Sequence, residues 1–203
     1  LSGIPQGSIL GPLLFIIFIN DLAEMCDKES KLYLYADDAK IFSHICSIKD
    51  KENLQSDLDK VNEWSNKWLL KLNIQKCKVM SYGRDCKINS DYYLCCNDTR
   101  YNLEKLDSIN DLGVIFDKNL KFDSHIDKKV NKAYSILGLI NRNFRNMNLK
   151  SFVLIYKSMV RSHVEYANSV WSPYKIMDIE KIEKVQKRAT KMINSIKNLT
   201  YEN

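Results

Sequence analysis

The chain has 203 residues, 45% of them hydrophobic and 10% aromatic, with 31 Lys/Arg against 25 Asp/Glu for a net charge of +6. That length can bury a sizeable core in one or two domains. Six Gly and three Pro are too few for a collagen, a linker or a low-complexity chain, and the apolar content excludes intrinsic disorder.

In chain order, Leu1 to Gly7 reads as a tight loop punctuated by Gly3, Pro5 and Gly7. Ser8 to about Cys26 reads as a helix, apolar nearly all round at its start and therefore expected to be deeply buried. Its apolar run Ile9–Ile19 is 11 residues and contains Gly11 and Pro12, well short of the roughly 20 a membrane span needs. Lys31 to Ser47 gives the clearest strand signal: Leu32, Leu34 and Ala36 alternate with Tyr33 and Tyr35, and Asp37-Asp38 follows. Two strands around an acidic turn make a β-hairpin. Asp50 to Leu72 is an amphipathic helix with Leu54, Leu58, Val61, Trp64 and Trp68 at helical spacing. Strands are expected at Lys76–Tyr82, Tyr92–Cys95, Tyr101–Leu106 and Ile109–Phe116, the last with Gly113 inside it.

From Ser124 onward the pattern is helical. Ile126, Val130, Ala133, Leu137 and Ile140 form one stripe; Phe152, Tyr156, Met159 and His163 a second; Ile179, Ile182, Val185, Ala189, Met192 and Ile196 a third. Residues 1–120 therefore read as α/β and residues 121–203 as all-α. Residues 1–100 carry 13 basic and 14 acidic side chains and residues 101–203 carry 18 and 11, so the positive excess belongs to the second half. Lys181, Lys184, Arg188 and Lys191 fall on one face of the last helix. Such a face suits the phosphates of a nucleic acid, or is simply solvated.

The six cysteines include no C-x-x-C pair. They read as free thiols of a reducing compartment, with Cys26, Cys46 and Cys77 placed as core thiols are. A zinc site from Cys86, Cys95, Cys96 and His125 matches no usual ligand spacing. No secretory signal is visible.

The acidic turn carries the chemistry. Two adjacent carboxylates repel each other, yet hard oxygen donors held on a sheet suit Mg²⁺. A pair of such ions about 3.5–4 Å apart can serve phosphoryl transfer. An Asp-Asp turn alone is also common for conformational reasons. Gly3-Ile4-Pro5-Gln6-Gly7-Ser8 followed by Tyr35-Ala36-Asp37-Asp38 resembles motifs B and C of reverse transcriptases. Asn73-Ile74-Gln75-Lys76-Cys77 resembles motif D, with Cys77 where Thr is usual, and Leu112-Gly113-Val114-Ile115-Phe116 resembles motif E. The run Ile9–Phe15, Ile19-Asn20-Asp21-Leu22, and the tail Ser162-His163-Val164-Glu165-Tyr166-Ala167 through Trp171 are similar to non-LTR retrotransposons of the jockey and CR1 type.

The resemblance implies a polymerase palm, an antiparallel sheet with helices on one face, over residues 1–120. A helical thumb-like region would follow over 121–203. It implies RNA-directed DNA polymerisation with two Mg²⁺ (or Mn²⁺), an RNA template, a DNA primer and dNTPs, in the cytoplasm and nucleus and away from membranes. Asp37 and Asp38 would hold metal. Lys76 would assist the leaving pyrophosphate, with Lys78 as its rival. Pro5, Gln6, Gly7 and Tyr35 would line the nucleotide and templating base. Leu112, Gly113 and Val114 would place the primer terminus, and Lys181, Lys184, Arg188 and Lys191 would hold the duplex. The chain is expected to open inside motif B, so the third carboxylate of motif A and the fingers would belong to a missing N-terminal part. Residues 1–203 alone are then expected not to extend a primer. A non-catalytic relic that binds nucleic acid or a protein, and a group II intron maturase, are the alternatives.

Overall fold

The computed structural model describes residues 7–27, 29–83, 88, 91–96, 99–144 and 147–193. The chain divides into two compact units, Leu1–Asp107 and Ser108–Asn203.

The first unit opens with α1 (Leu10–Ile19), which tightens into a 3-10 turn at Asn20–Glu24. Strands β1 (Ser30–Tyr35) and β2 (Asp38–Ser43) pair antiparallel, from Ser30 opposite Ser43 to Tyr35 opposite Asp38. Helix α2 (Ile48–Lys67) starts on a reciprocal cap. The Ser47 hydroxyl accepts from the Asp50 N–H, and the Asp50 carboxylate accepts from the Ser47 and Cys46 N–H groups. These backbone donors hold Asp50 below the usual carboxylate range. The helix ends where Leu69 turns left-handed at φ 58°. The Leu70 N–H then reaches the Ser65 carbonyl, and the Ser65 hydroxyl donates to the Leu70 carbonyl. This is a Schellman-type stop with leucine where glycine is usual.

The core of this unit is Ile19, Leu22, Val61 and Trp64, with the inward face of the hairpin (Leu32, Leu34, Ile41) packed on it. The Trp64 indole N–H donates to Asp21, so the first polar residue after α1 is a structural anchor. Asp57 is fully buried. Burial works to raise its carboxyl, but the Ser30 hydroxyl, the Asp27 N–H and Lys60 together hold it low. Lys60 ties Asp57 to Asp27.

Two expectations change here. Helix α1 is not deeply buried: Leu10, Leu13, Leu14, Ile16 and Ile17 are exposed, and within α1 only Ile19 is fully buried. A helix apolar all round has more apolar surface than one hairpin and one helix can cover. Nor is there one antiparallel sheet among the described residues, because four separate two-stranded ladders form instead. β3 (Lys78–Met80) pairs parallel with β6 (Glu104–Leu106), and β4 (Tyr93–Cys96) pairs antiparallel with β5 (Thr99–Asn102). Gln55 of α2 bonds both backbone groups of Tyr93, and Asn62 donates to the Cys95 carbonyl, which fastens β4 to α2.

The second unit begins with another hairpin, β7 (Ser108–Asp111) and β8 (Val114–Asp117). The sequence pattern reads this stretch as a single strand, but Leu112-Gly113 makes a two-residue turn through its middle. α3 (Asp123–Asn143) follows, then α4 (Leu149–Ile155), a π turn (Tyr156–Arg161), α5 (Ser162–Glu165), α6 (Asn168–Trp171) and α7 (Ile176–Thr190). The α3 stripe Ile126, Val130, Ala133, Leu137 and Ile140 is buried as its spacing predicts, against Val160, Val164, Trp171, Val185 and Ala189. Ile196 lies outside the described residues.

The π turn explains why the second predicted stripe is only half right. Phe152 is buried, but Met159 is exposed; Val160 and Val164 take the core places. In an α-helix, residues four apart drift by about 40° per step. A wider turn cancels that drift and keeps 152, 156, 160 and 164 on one face. The Ser158 and Ser162 hydroxyls donate to the carbonyls of Ile155 and Ser158 there. His163 is thereby moved off the core face.

No helix among the described residues is long and apolar enough to cross a membrane.

Candidate functional site

The β1–β2 hairpin carries the acidic pair. Its turn residues are Ala36 and Asp37, and Asp38 is the first residue of β2 opposite Tyr35. Ala36 sits at φ 51°, a left-handed conformation that costs a residue with a Cβ roughly 1–2 kcal/mol. Such local strain concentrates where a side chain has to be presented in a set direction. Tyr35, Asp37 and Asp38 are all exposed, while Leu32 and Leu34 on the same strand hold the hairpin on the core. Neither carboxylate has a hydrogen-bond or ion-pair partner among the described residues. The tip is therefore two unneutralised oxygen donors on an anchored support.

Lys76 lies in the turn before β3, whose backbone is set by Lys76 and Cys77 N–H bonds to the Asn73 carbonyl. Its side chain is exposed and makes no ion pair among the described residues. Lys78, its rival, is held by Glu104 at 2.6 Å. Gly7 adopts φ +81°, and a Cβ there would meet no atom of the described residues within 4 Å, so the backbone conformation is what favours glycine there. Pro5 and Gln6 lie outside the described residues.

In the second unit, the β7–β8 turn places Leu112 at φ 44° and Gly113 at φ 82°. Positive values at both central positions are the signature of a type I′ hairpin, in which leucine is unusual. Val114 is buried in the core, so only its backbone is available to a ligand. Sequence reasoning passes over the residue that secures this tip. The Tyr166 hydroxyl donates to the Leu112 carbonyl at 2.8 Å, and its ring lies where a Cβ on Gly113 would come within 3.1 Å.

The tether continues inward. The Tyr166 carbonyl accepts from the Trp171 indole at 2.7 Å, and Trp171 packs on the His125 ring with centroids 5.1 Å apart. His125 Nδ1 accepts from the Ile115 N–H of β8 at 3.1 Å, which puts the imidazole proton on Nε2. Burial, then the charges of Lys129 and Lys128, push His125 down to about 4. Tyr166 of the tail thus grips the hairpin at its tip, and Trp171 backs the α3 histidine that holds its second strand. A tyrosine and a tryptophan five residues apart after a helical stripe were the available signal.

The basic face of α7 is partly used internally. Lys181 bridges Asp127 and Asp178, and Lys184 lies 3.8 Å from Glu180. Arg188 stacks toward the Tyr134 ring, and Lys191 is exposed. The described cysteines, Cys26, Cys46, Cys77, Cys95 and Cys96, are free. Cys46 is exposed beside His44 rather than in the core, and Cys86 lies outside the described residues. His125 is spent on the hairpin, and no group of three or more His, Cys, Asp or Glu able to hold a metal gathers among the described residues.

Residues 1–116 match the family described as "Reverse transcriptase (RNA-dependent DNA polymerase)". This chain belongs to the reverse transcriptase family. It is 28% identical, over 95% of its length, to the RNA-directed DNA polymerase from mobile element jockey of Drosophila funebris. It is 29% identical, over the same share, to a probable RNA-directed DNA polymerase from transposon BS of Drosophila melanogaster. Another probable RNA-directed DNA polymerase, from the X-element transposon of that species, is 23% identical. The chain spans 22% of the length of each of these relatives. No solved structure gives a significant match.

Reverse transcriptases generally use divalent metal ions. In this member of the family the unpaired carboxylates of Asp37 and Asp38 are the right donors for a hard cation. They fit as two ligands of such a site, and the described residues add no third.

Proposed function

We propose that this chain is the motif B-to-thumb portion of a non-LTR retrotransposon reverse transcriptase. Residues 1–120 act as palm and 121–203 as thumb in RNA-directed DNA synthesis. The observation that carries the reading is the pair of free carboxylates on the strained Ala36-Asp37 turn, inside the residues that match the family.

The primer 3′-hydroxyl attacks the α-phosphorus of a dNTP, and pyrophosphate leaves. Asp37 and Asp38 would hold divalent metal at that reaction. Two Mg²⁺ or Mn²⁺ ions, when bound, supply positive charge against the charge that builds on the attacking and leaving oxygens. Lys76, with no carboxylate partner among the described residues, offers an ammonium to the departing pyrophosphate. Gly7 lets the backbone approach the nascent pair together with Pro5 and Gln6, and Tyr35 flanks the acidic tip. The Leu112-Gly113 turn positions the primer terminus, with Val114 anchoring it from the core. Lys184, Arg188 and Lys191, and Lys181 to a lesser degree, meet the duplex backbone.

The test exchanges this chain for the matching segment of the Drosophila funebris jockey polymerase and measures primer extension on an RNA template. Extension by the hybrid enzyme, abolished by Asp37→Ala with folding intact, is expected. A folded hybrid that fails to extend, or one that still extends with Asp37→Ala, contradicts the reading.

A further inference from the structure

The corner between α5 and α6 aims one side chain at the β7–β8 turn. Tyr166 follows the last residue of α5, and Ala167 comes next in the left-handed region at φ 53°, so the helical path breaks there. The Trp171 indole donates to the Tyr166 carbonyl, and Trp171 is only 2% exposed. The Tyr166 backbone is therefore pinned from the core, while the residue as a whole stays 49% exposed. Three contacts orient its side chain. The hydroxyl donates to the Leu112 carbonyl, 54 residues away in sequence. The ring edge lies where a Cβ on Gly113 would come within 3.1 Å. The Lys129 ammonium stands over the ring, 4.8 Å from its centroid.

These contacts add little to the fold as such, because a hydrogen bond from a half-exposed side chain competes with water. What they remove is freedom at the turn. Strands β7 and β8 are four residues each, so only a short ladder supports the tip. Leu112 at φ 44° is a leucine in a conformation that its Cβ disfavours. A tip of that kind needs an outside hold to keep one position, and the Tyr166 phenol supplies it. Alanine at 113 would push the ring away, so glycine there also serves the approach of Tyr166.

We infer that Tyr166 is a positioning residue for DNA synthesis, which fixes the place of the primer 3′-hydroxyl by holding the Leu112-Gly113 turn. The inference rests on the polymerase reading, in which that turn meets the primer terminus. Tyr166 acts through the turn and touches no reacting atom. In-line attack on the α-phosphorus tolerates little displacement, since an error of about 1 Å can cost about 100-fold in rate. A loosened turn spreads the hydroxyl over more positions, fewer of them productive. The maximal rate then falls, and the affinity for dNTP, set by other groups, does not.

The test uses the hybrid enzyme carrying this chain in the Drosophila funebris jockey polymerase and follows single-turnover addition of one nucleotide on a primed RNA template. Tyr166→Phe keeps the ring and removes only the hydrogen bond. It is expected to lower the maximal rate about 3–10-fold, with the dNTP concentration for half-maximal rate within about twofold of wild type. Asn148→Ala, which removes the side-chain cap of α4, serves as the control for lost stability and is expected to keep the wild-type rate. Gly113→Ala is expected to slow the enzyme, and to slow it at least about twofold less in a Tyr166→Ala background, where its Cβ has room. Far-ultraviolet dichroism checks that every variant folds. An unchanged maximal rate in Tyr166→Phe overturns the inference. So does a rise in the half-saturating dNTP concentration alone, an equal loss in Asn148→Ala, or strict additivity of Gly113→Ala and Tyr166→Ala. A wild-type hybrid that extends no primer contradicts the polymerase reading and this inference with it, whereas an active hybrid indifferent to Tyr166→Phe overturns this inference alone.

Discussion

Two hairpins of this protein, β1–β2 and β7–β8, are built alike and finished differently. Each has a two-residue turn whose first residue is a non-glycine at positive φ, Ala36 at 51° and Leu112 at 44°. Past that point they diverge. The β1–β2 tip ends in carboxylates with no hydrogen-bond or ion-pair partner among the described residues, and the inward face of its strands packs on the core. The β7–β8 tip is fastened by Tyr166, and its second strand is fastened by His125. On the proposed reading the first tip would receive ions and so keeps its donors unpaired, whereas the second holds position and is tied down. The same turn geometry thus serves two ends, and the neighbouring side chains decide which.

Substitutions at four positions break or sharpen that contrast, the largest effect first. His125→Ala removes the acceptor of the Ile115 N–H and leaves a void against Trp171, so thermal or urea unfolding should register a loss of about 2–4 kcal/mol. The same histidine gives a pH signature. Its value of about 4 in the fold lies below the ordinary 6.5, so the unfolded chain takes up the proton first. Stability is full above pH 6.5 and falls as pH drops from there toward 4, by up to about 1.4 kcal/mol per unit. His125→Gln should flatten that slope.

Asp117→Ala comes next. The carboxylate accepts from the Asn119, Lys121 and Phe122 N–H groups and fixes a loop in which Leu120 and Phe122 both have positive φ. Burial works to raise its carboxyl, but these donors hold it low. Losing them should cost about 1.5–3 kcal/mol, read by denaturant unfolding. Tyr166→Phe should cost about 0.5–1.5 kcal/mol. It should speed hydrogen exchange in the β7–β8 turn and leave the β1–β2 turn unaltered, which a general loosening would not do. The smallest effect is Ala36→Gly, expected to raise stability by about 0.5–1 kcal/mol by relieving the left-handed alanine.

Much of the first unit could be read from the residues. The alternation of Leu32, Leu34 and Ala36 with Tyr33 and Tyr35 places the acidic hairpin, although Ala36 itself falls in the turn, and the Val61–Trp64 spacing places the buried face of α2. What could not be read has identifiable causes. The pattern of α1 specifies an apolar helix but not how much partner surface exists to cover it. Leu112 gives no turn signal because leucine is rare at positive φ, so β7 and β8 read as one strand. A period of 3.6 assigns Met159 and His163 to the core, and the π turn overrules it. On α7, spacing displays a row of cations but hides Asp127, which arrives from α3 to neutralise Lys181.

The central claim, that the free tip is the metal-binding one, is tested most directly by titrating residues 1–203 with Mn²⁺ and following paramagnetic broadening of the amide resonances. Selective broadening from Tyr35 to Ala39, absent at Leu112–Val114 and lost in Asp37→Asn, is the predicted result. Equal broadening of both hairpins, or persistence of the effect in Asp37→Asn, would contradict it.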